Sequence, residues 1–231
     1  MNIAVIPARG GSKRIPRKNI KLFHGLPVIA YAINAARESE LFDEIIVSTD
    51  DEEIAAVANS FGATIPWLRA KKLSDDYATT VSVMQDAVKR LELSQFNLEN
   101  ICCIYPATPF LKPAFLSEGL KILREGDWSY VFSGLKSSIP LQRIFSLGNS
   151  KKVEMLFPEY EVTRTQDLEN YYSDAGQFYW GRKSAWDSGL PIFSSRSTIL
   201  EIPSESAIDI DTPEDWHRAE LLFELKKGML K

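Results

Sequence analysis

The chain has 231 residues, 45% hydrophobic and 25% charged, with 12 Gly, 12 Pro and a formal net charge of −4. Such a composition suits a single globular domain over 1–231 and excludes collagen-like and low-complexity classes. No apolar run approaches the roughly 18 residues of a membrane span, so no membrane partner is expected. The opening Met-Asn-Ile-Ala-Val-Ile-Pro-Ala-Arg lacks the charged start and long apolar core of a signal peptide. The two cysteines, Cys102 and Cys103, are neighbours that a strand points to opposite faces, which argues against a disulfide framework or a zinc site. A reducing, cytoplasmic location is the expectation.

In chain order, Ile3–Ile6, Ile45–Val47, Ala63–Leu68, Ile101–Tyr105 and Ser129–Ser133 read as strands rich in β-branched and aromatic residues. Helical stripes lie between them. Ile29, Ala32, Ile33 and Ala36 follow i, i+3, i+4, i+7 after Pro27, a proline suited to a first helical position. Ile54, Val57, Ala58 and Phe61 repeat the spacing, with Gly62 as the stop. Val81, Met84, Val88 and Leu91 form a third stripe, and Leu116, Leu120 and Leu123 a fourth. Strands alternating with helices of this length predict an α/β fold with a mainly parallel mixed sheet flanked by helices. From about 136 to 172 the helical period disappears, and an insertion of irregular or antiparallel structure used for dimer contacts is expected there. Gln177–Trp180, Thr198–Ile202 and Ala207–Ile210 read as further strands. Thr212-Pro213-Glu214-Asp215 is a helix start, with a capping threonine, an early proline and acids against the N-terminal dipole.

Charge is unevenly placed. Residues 1–37 hold Arg9, Lys13, Arg14, Arg17, Lys18, Lys21 and Arg37 and no acid, which leaves 20 cations against 31 anions in the rest. A local cationic loop on an acidic body suits a small polyanion better than a nucleic acid. That loop, Pro7-Ala-Arg-Gly-Gly-Ser-Lys-Arg-Ile-Pro-Arg-Lys-Asn19, follows the first strand, where open α/β sheets bind ligands. A Gly-Gly-Ser turn lets backbone N–H groups approach phosphate oxygens, and arginine and lysine neutralise their charge. It is neither a Walker A loop nor a G-x-G-x-x-G turn. Near the other end, Ile208-Asp209-Ile210-Asp211 would place two carboxylates on one face of a strand. Two such carboxylates repel unless a cation or a proton relieves them, and Mg²⁺ takes one or two carboxylates while keeping sites for water and phosphate. The alternative is that Asp211 merely precedes the last helix while Asp209 is solvated.

Together, Ile6–Asn19, Val47-Ser-Thr-Asp50, Arg69–Thr80 and Ile208–Thr212 resemble the acylneuraminate cytidylyltransferase family, which includes the CMP-sialic acid synthetases. Within it, Tyr105–Phe110, Thr163–Leu168 and Asp174–Trp180 look most like the members that act on pseudaminic acid. The resemblance implies a Rossmann-like nucleotidyltransferase fold, Mg²⁺ dependence, a homodimer, and partners CTP and a nonulosonic acid. The reaction it implies joins CTP to a nine-carbon α-keto acid sugar and releases pyrophosphate, in a bacterial route to surface or flagellar glycans. It implies that Ala8, Arg9, Gly10, Gly11, Ser12, Lys18, Asn19, Arg69 and Thr80 hold the nucleotide, with Arg69 and Thr80 at the cytosine end. Asp209 and Asp211 would hold the metal, and Lys18, Arg9 and Asp211 would carry the chemistry.

Where the sialic acid enzymes carry Gln in a Gln-Pro-Thr-Ser-Pro motif, this chain has Tyr105-Pro-Ala-Thr-Pro. A phenol cannot copy an amide's paired donor and acceptor, which points away from N-acetylneuraminate. Tyr105, Arg164, Gln166 and Gln177 are the expected sugar contacts, Arg164 by pairing with the sugar carboxylate. Legionaminate, N-acetylneuraminate or Kdo are alternative sugars, and a non-catalytic binder of nucleotides or RNA is the alternative class. Asp50–Glu53 read as helix-start acids, Trp67 and Trp128 as core, and His24 and His217 as non-catalytic.

Overall fold

The computed structural model describes residues 1–229. The strands are β1 (Asn2–Pro7), β2 (Leu22–Phe23), β3 (Leu26–Pro27), β4 (Glu44–Ser48), β5 (Asn100–Ile104), β6 (Tyr130–Lys136), β7 (Phe145–Leu147), β8 (Val153–Met155), β9 (Tyr172–Arg182) and β10 (Ser197–Glu201). The helices are α1 (Val28–Glu38), α2 (Glu52–Ser60), α3 (Thr80–Leu93), α4 (Pro113–Glu125), α5 (Lys183–Ser188) and α6 (Pro213–Met229). Six strands make the central sheet in the order β10-β6-β9-β5-β1-β4. All its pairs are parallel except those of β9, which runs antiparallel to both β5 and β6.

The period-two alternation of β1 divides the interior. Ala4 and Ile6 pack with Ile29, Ile33, Ile54 and Leu120, from α1, α2 and α4, on one face of the sheet. Ile3 and Val5 pack with Met84, Val88 and Trp186, from α3 and α5, on the other. The chain therefore crosses from one face to the other between α2 and α3, and β1 and β5 flank the place where strand order reverses. That is where an open α/β sheet forms its binding crevice. A third apolar cluster, with Ile15, Phe23, Phe110, Ile210 and Trp216, fastens the basic loop to the segment before α6.

The stop of α2 and the start of α6 follow the sequence, and the start of α1 does not. Gly62 takes φ +92° just beyond α2, a conformation glycine adopts without penalty. Thr212 and Asp215 cap α6 mutually: Asp215 Oδ2 accepts from the Thr212 N–H at 2.9 Å, and Thr212 Oγ1 accepts from the Asp215 N–H at 3.2 Å. Pro27 precedes α1 in extended conformation rather than opening it.

Two expected strands are not strands. Ala63–Leu68 makes only isolated bridges, Thr64 to Ile46 and Leu68 to Thr49, because Pro66 between them has no N–H to offer a ladder. Ala207–Ile210 belongs to no strand either, and its isoleucines pack in the third cluster instead of on the sheet. Residues 137–171 hold the antiparallel hairpin β7–β8 and short 3-10 turns. No helix among the described residues is long and apolar enough to cross a membrane.

Candidate active site

The carboxyl ends of β1 and β5 open into a cleft of about 540 Å³. The loop after β1 forms one wall, supplying Arg9, Ser12, Lys13, Arg14, Lys18 and Asn19. The stretch from Arg69 to Val83, together with Tyr105 and Pro106, forms the other, and Asp211 closes the cleft from the segment before α6.

Carboxylates fix the shape of the basic loop. Asp50 Oδ1 accepts the Gly10 N–H at 3.0 Å. Asp51 caps α2, its Oδ1 accepting from the Glu53 and Ile54 N–H groups at 3.0 Å each. Arg17 pairs with both Asp51 and Glu53 and is itself held in the left-handed region, at φ 56°. The Arg17 guanidinium and the cap bonds, working against partial burial, bring the Asp51 carboxyl down to about 2. Asp50–Glu53 are thus helix-start acids as expected, with the added task of anchoring the basic loop. Lone acids after a strand carry no sequence signal for that task.

Lys18 Nζ donates to the Ile210 carbonyl oxygen at 2.7 Å and lies 3.3 Å from Asp211 Oδ1. Arg14 reaches the other Asp211 oxygen at 2.8 Å. Asn19 is buried at the cleft wall, its Nδ2 donating to the Arg9 carbonyl at 3.0 Å while its Oδ1 has no partner among the described residues. Arg69 is only 5% exposed, yet it lines the cleft and makes no ion pair among the described residues. Its Nε donates to Ser74 Oγ at 3.1 Å. Burial pulls its pKa below the ordinary arginine value, with Asp50 opposing. A buried cation that faces a cavity and has no ion-pair partner of its own asks for an anion or a carbonyl-rich ligand.

Thr80 Oγ1 and the Tyr105 hydroxyl meet at 2.8 Å on the far wall. Burial pushes the Tyr105 phenol up, so it stays neutral. Its ring lies 5.1 Å from that of Tyr179, whose hydroxyl donates to Asp174 Oδ2 at 2.5 Å. Tyr179, Asp174, Asp75 and Asp76 also stand at or beside the site; they fall within the motifs Arg69–Thr80 and Asp174–Trp180, but the sequence assigns none of them an individual role.

Several expected residues stand elsewhere. Ala8 is fully buried, and its N–H is engaged by the Ser48 carbonyl at 2.9 Å, so it offers the cleft nothing. Gly10 and Gly11 border the cleft without lining it. Gln177 is buried, with Nε2 bound to the Ser206 carbonyl at 2.6 Å, and does not face the cleft. Arg164 is 73% exposed and paired with Asp167 on the 137–171 insertion, and Gln166 is exposed beside it, so this protomer's own fold brings neither to the cleft. Asp209 also lies outside the lining. Its residue is exposed at the surface, yet its carboxyl is raised, first by partial desolvation and then by the Asp211 carboxylate, with Lys18 opposing. Among the described residues no group of three or more His, Cys, Asp or Glu side chains is gathered for a metal.

A family profile described as cytidylyltransferase matches residues 3–224. The chain belongs to that family. It is accordingly a nucleotidyltransferase, and its mainly parallel mixed sheet flanked by helices is the Rossmann-like fold expected of one. It is 40% identical to a pseudaminic acid cytidylyltransferase of Campylobacter jejuni over 224 residues, 97% of each chain. It is 35% identical to the CMP-N,N'-diacetyllegionaminic acid synthase of Legionella pneumophila, over 99% of this chain and 98% of that one. Among solved structures, a CMP:2-keto-3-deoxy-manno-octonic acid synthetase complexed with CTP superposes with TM-score 0.71 at 17% identity, covering 97% and 99% of the two chains. At that identity the likeness concerns the fold.

Proposed function

We propose that this cytidylyltransferase joins CTP to a nine-carbon α-keto acid sugar, pseudaminic acid, giving the CMP-sugar and pyrophosphate. The observation that carries the reading is the pairing of opposite walls. One is a loop with Arg9, Lys13, Arg14 and Lys18; the other holds the buried, unpaired Arg69 beside a Thr80–Tyr105 hydroxyl pair. The first suits a polyphosphate, and the second suits a base and a hydroxylated sugar. The 40% identity to a pseudaminic acid enzyme and the tyrosine at position 105 favour pseudaminic acid. The 35% identity to a legionaminic acid enzyme supports that sugar as a second reading.

In this reading the anomeric hydroxyl attacks the α-phosphorus in line, the bond to the β-phosphate breaks, and the hydroxyl proton is released as the new P–O bond forms. Catalysis is then positioning and charge stabilisation. Lys18, fixed by Ile210 and Asp211, faces the charge that develops around the α-phosphoryl group, and Arg9 faces the departing pyrophosphate. Asp209 and Asp211 fit a divalent cation by their donor chemistry: two carboxylates close enough that one raises the other's pKa. Mg²⁺ held by Asp209 and Asp211 would neutralise phosphate charge.

The insertion supports a homodimer. In the β7–β8 hairpin Phe145 faces Met155 and Leu147 faces Val153, while Ser146 and Glu154 form the other face. Phe145, Leu147 and Val153 are exposed, an apolar ribbon left uncovered within one chain. Arg164 and Gln166 ride on the same insertion. The enzyme would work in the cytoplasm, where CTP is made.

The test is pyrophosphate release with CTP and Mg²⁺ against pseudaminic, legionaminic and N-acetylneuraminic acids. Turnover with pseudaminic acid is expected. Release only with another acid would move the substrate and keep the chemistry, and silence across the panel would overturn the reading.

A further inference from the structure

Two cations of the basic loop share one carboxylate that the reaction described above does not use. Arg9 Nη1 lies 2.8 Å from Asp76 Oδ1, and Lys13 Nζ lies 2.5 Å from Asp76 Oδ2. The same Arg9 nitrogen donates to the Asp75 carbonyl oxygen at 2.9 Å. Arg9 and Lys13 belong to one wall of the cleft, Asp75 and Asp76 to the other, and all four line it. Asp75 shapes its own stretch of chain, with Oδ1 accepting from the Tyr77 and Ala78 N–H groups at 2.9 and 2.8 Å. Asp76 is left to reach across. Lys13 first, and then Arg9, hold the Asp76 carboxyl below the usual carboxylate range, so it is ionised wherever the enzyme works.

The contact is too exposed to be a structural clamp. The Asp76 side chain is 44% accessible and that of Lys13 78%, so water screens the pair and its share in folding is small. Its position matters more than its strength, because any polyphosphate that uses Arg9 and Lys13 must take them from Asp76.

We infer that Asp76 is an internal competitor of the nucleotide: it holds Arg9 and Lys13 across the mouth of the cleft, yields them to the triphosphate, and reclaims them as pyrophosphate leaves. The inference rests on the nucleotidyl-transfer reading and deepens it by naming the group the substrate displaces. Asp76 is a positioning residue in this scheme, since it acts on the ligand only through the two cations. A carboxylate presents one charge and two oxygens, whereas a triphosphate presents several of each, so the exchange favours the nucleotide. The competing carboxylate lowers affinity for substrate and product alike and so speeds release of the product.

The experiment measures binding of inorganic pyrophosphate and of CTP to the full chain by calorimetry, with wild type, Asp76→Asn and Asp76→Glu, at low and at high salt. Freed of its competitor, Asp76→Asn binds both about threefold to tenfold tighter, the span expected for two exposed ion contacts. The KM for CTP and the inhibition constant of pyrophosphate fall in the same ratio. Asp76→Glu returns both towards wild type, and salt narrows the difference. Binding by Asp76→Asn equal to or weaker than wild type overturns the inference, and weaker binding would mean that Asp76 keeps the site folded. Failure of the wild type to bind either ligand would instead overturn the nucleotidyl-transfer reading itself.

Discussion

Lys18 Nζ stands 3.3 Å from Asp211 Oδ1, so two segments 193 positions apart in sequence meet at the floor of the cleft. The meeting is enforced from below by the cluster that packs Ile15 and Phe23 of the loop region against Ile210 and Trp216. Lys18 is therefore held by packing that its own side chain does not supply. Lys18→Ala is expected to lower kcat about 100- to 1,000-fold, the usual loss when one preorganised charge donor is removed. Its unfolding free energy should stay within about 1 kcal/mol of wild type, because the lost pair is partly exposed. Pyrophosphate release and urea unfolding measure the two; turnover close to wild type would take Lys18 out of the chemistry.

Asp211 binds Arg14, so removing its charge affects more than the proposed metal site. The Mg²⁺ titration separates the effects. Asp211→Asn should raise the Mg²⁺ concentration for half-activation by about tenfold, roughly 1.4 kcal/mol, and Asp209→Asn should shift it in the same direction. Calorimetric Mg²⁺ binding in the presence of CTP gives a readout independent of turnover. An unmoved titration in both variants would sink the carboxylate pair as the metal site.

Gly10 and Gly11 are adjacent but not equivalent. A Cβ on Gly10 would lie 2.6 Å from Asp51 Oδ2 and 3.0 Å from Asp51 Cβ, whereas one on Gly11 would meet nothing within 4 Å. Asp51 cannot step aside, since it caps α2 and binds Arg17. Gly10→Ala should cost about 1–3 kcal/mol in unfolding, and Gly11→Ala no more than about 0.5 kcal/mol. Equal losses in the two variants would contradict the crowding at Asp51.

The β-α alternation and the basic loop were legible because each follows from local pattern: apolar periodicity, a glycine stop, and a run of cations without acids. What the pattern could not supply was distance across the chain. Gln177 and Arg164 read as polar groups free to meet a sugar, but Ser206 engages the first in the interior, and the second pairs with Asp167 on the insertion and does not line the cleft. Asp76 falls within the Arg69–Thr80 motif, but nothing local marks its role, which exists only once Arg9 and Lys13 face it. Asp209 and Asp211 were read through a strand that did not form. The alternation survived anyway, with Ile210 buried and Asp209 exposed, because the apolar cluster beneath imposes it in place of a sheet.

The apolar ribbon on β7–β8 makes the proposed dimer testable without reference to activity. Phe145→Ser with Leu147→Ser removes two of the three exposed apolar side chains of that face, while the backbone pairs with β8 remain. Analytical ultracentrifugation should show wild-type dimers and a mostly monomeric double variant, with the monomer's unfolding little changed because both side chains are already exposed. A double variant that dimerises like wild type would place the contact elsewhere.

Asp51 links loop geometry to acid stability. Its folded carboxyl, at about 2, lies below the ordinary 3.8, chiefly through its hydrogen bond with Arg17. A depressed folded pKa contributes stability that is complete above the unfolded value and is lost as pH falls through the folded one. The window therefore runs from about pH 4 down to about pH 2. Asp51→Asn keeps a capping oxygen and loses the charge, so its deficit against wild type should be largest at neutral pH and shrink across that window. Asp51→Ala, which loses the cap as well, should cost about 1–2 kcal/mol at neutral pH. Urea unfolding of the three proteins between pH 7 and pH 2 is the measurement. Parallel curves for wild type and Asp51→Asn would mean that the Arg17 contact carries no acid sensitivity, and the anchoring of the basic loop would then rest on the Asp50–Gly10 bond and the apolar cluster alone.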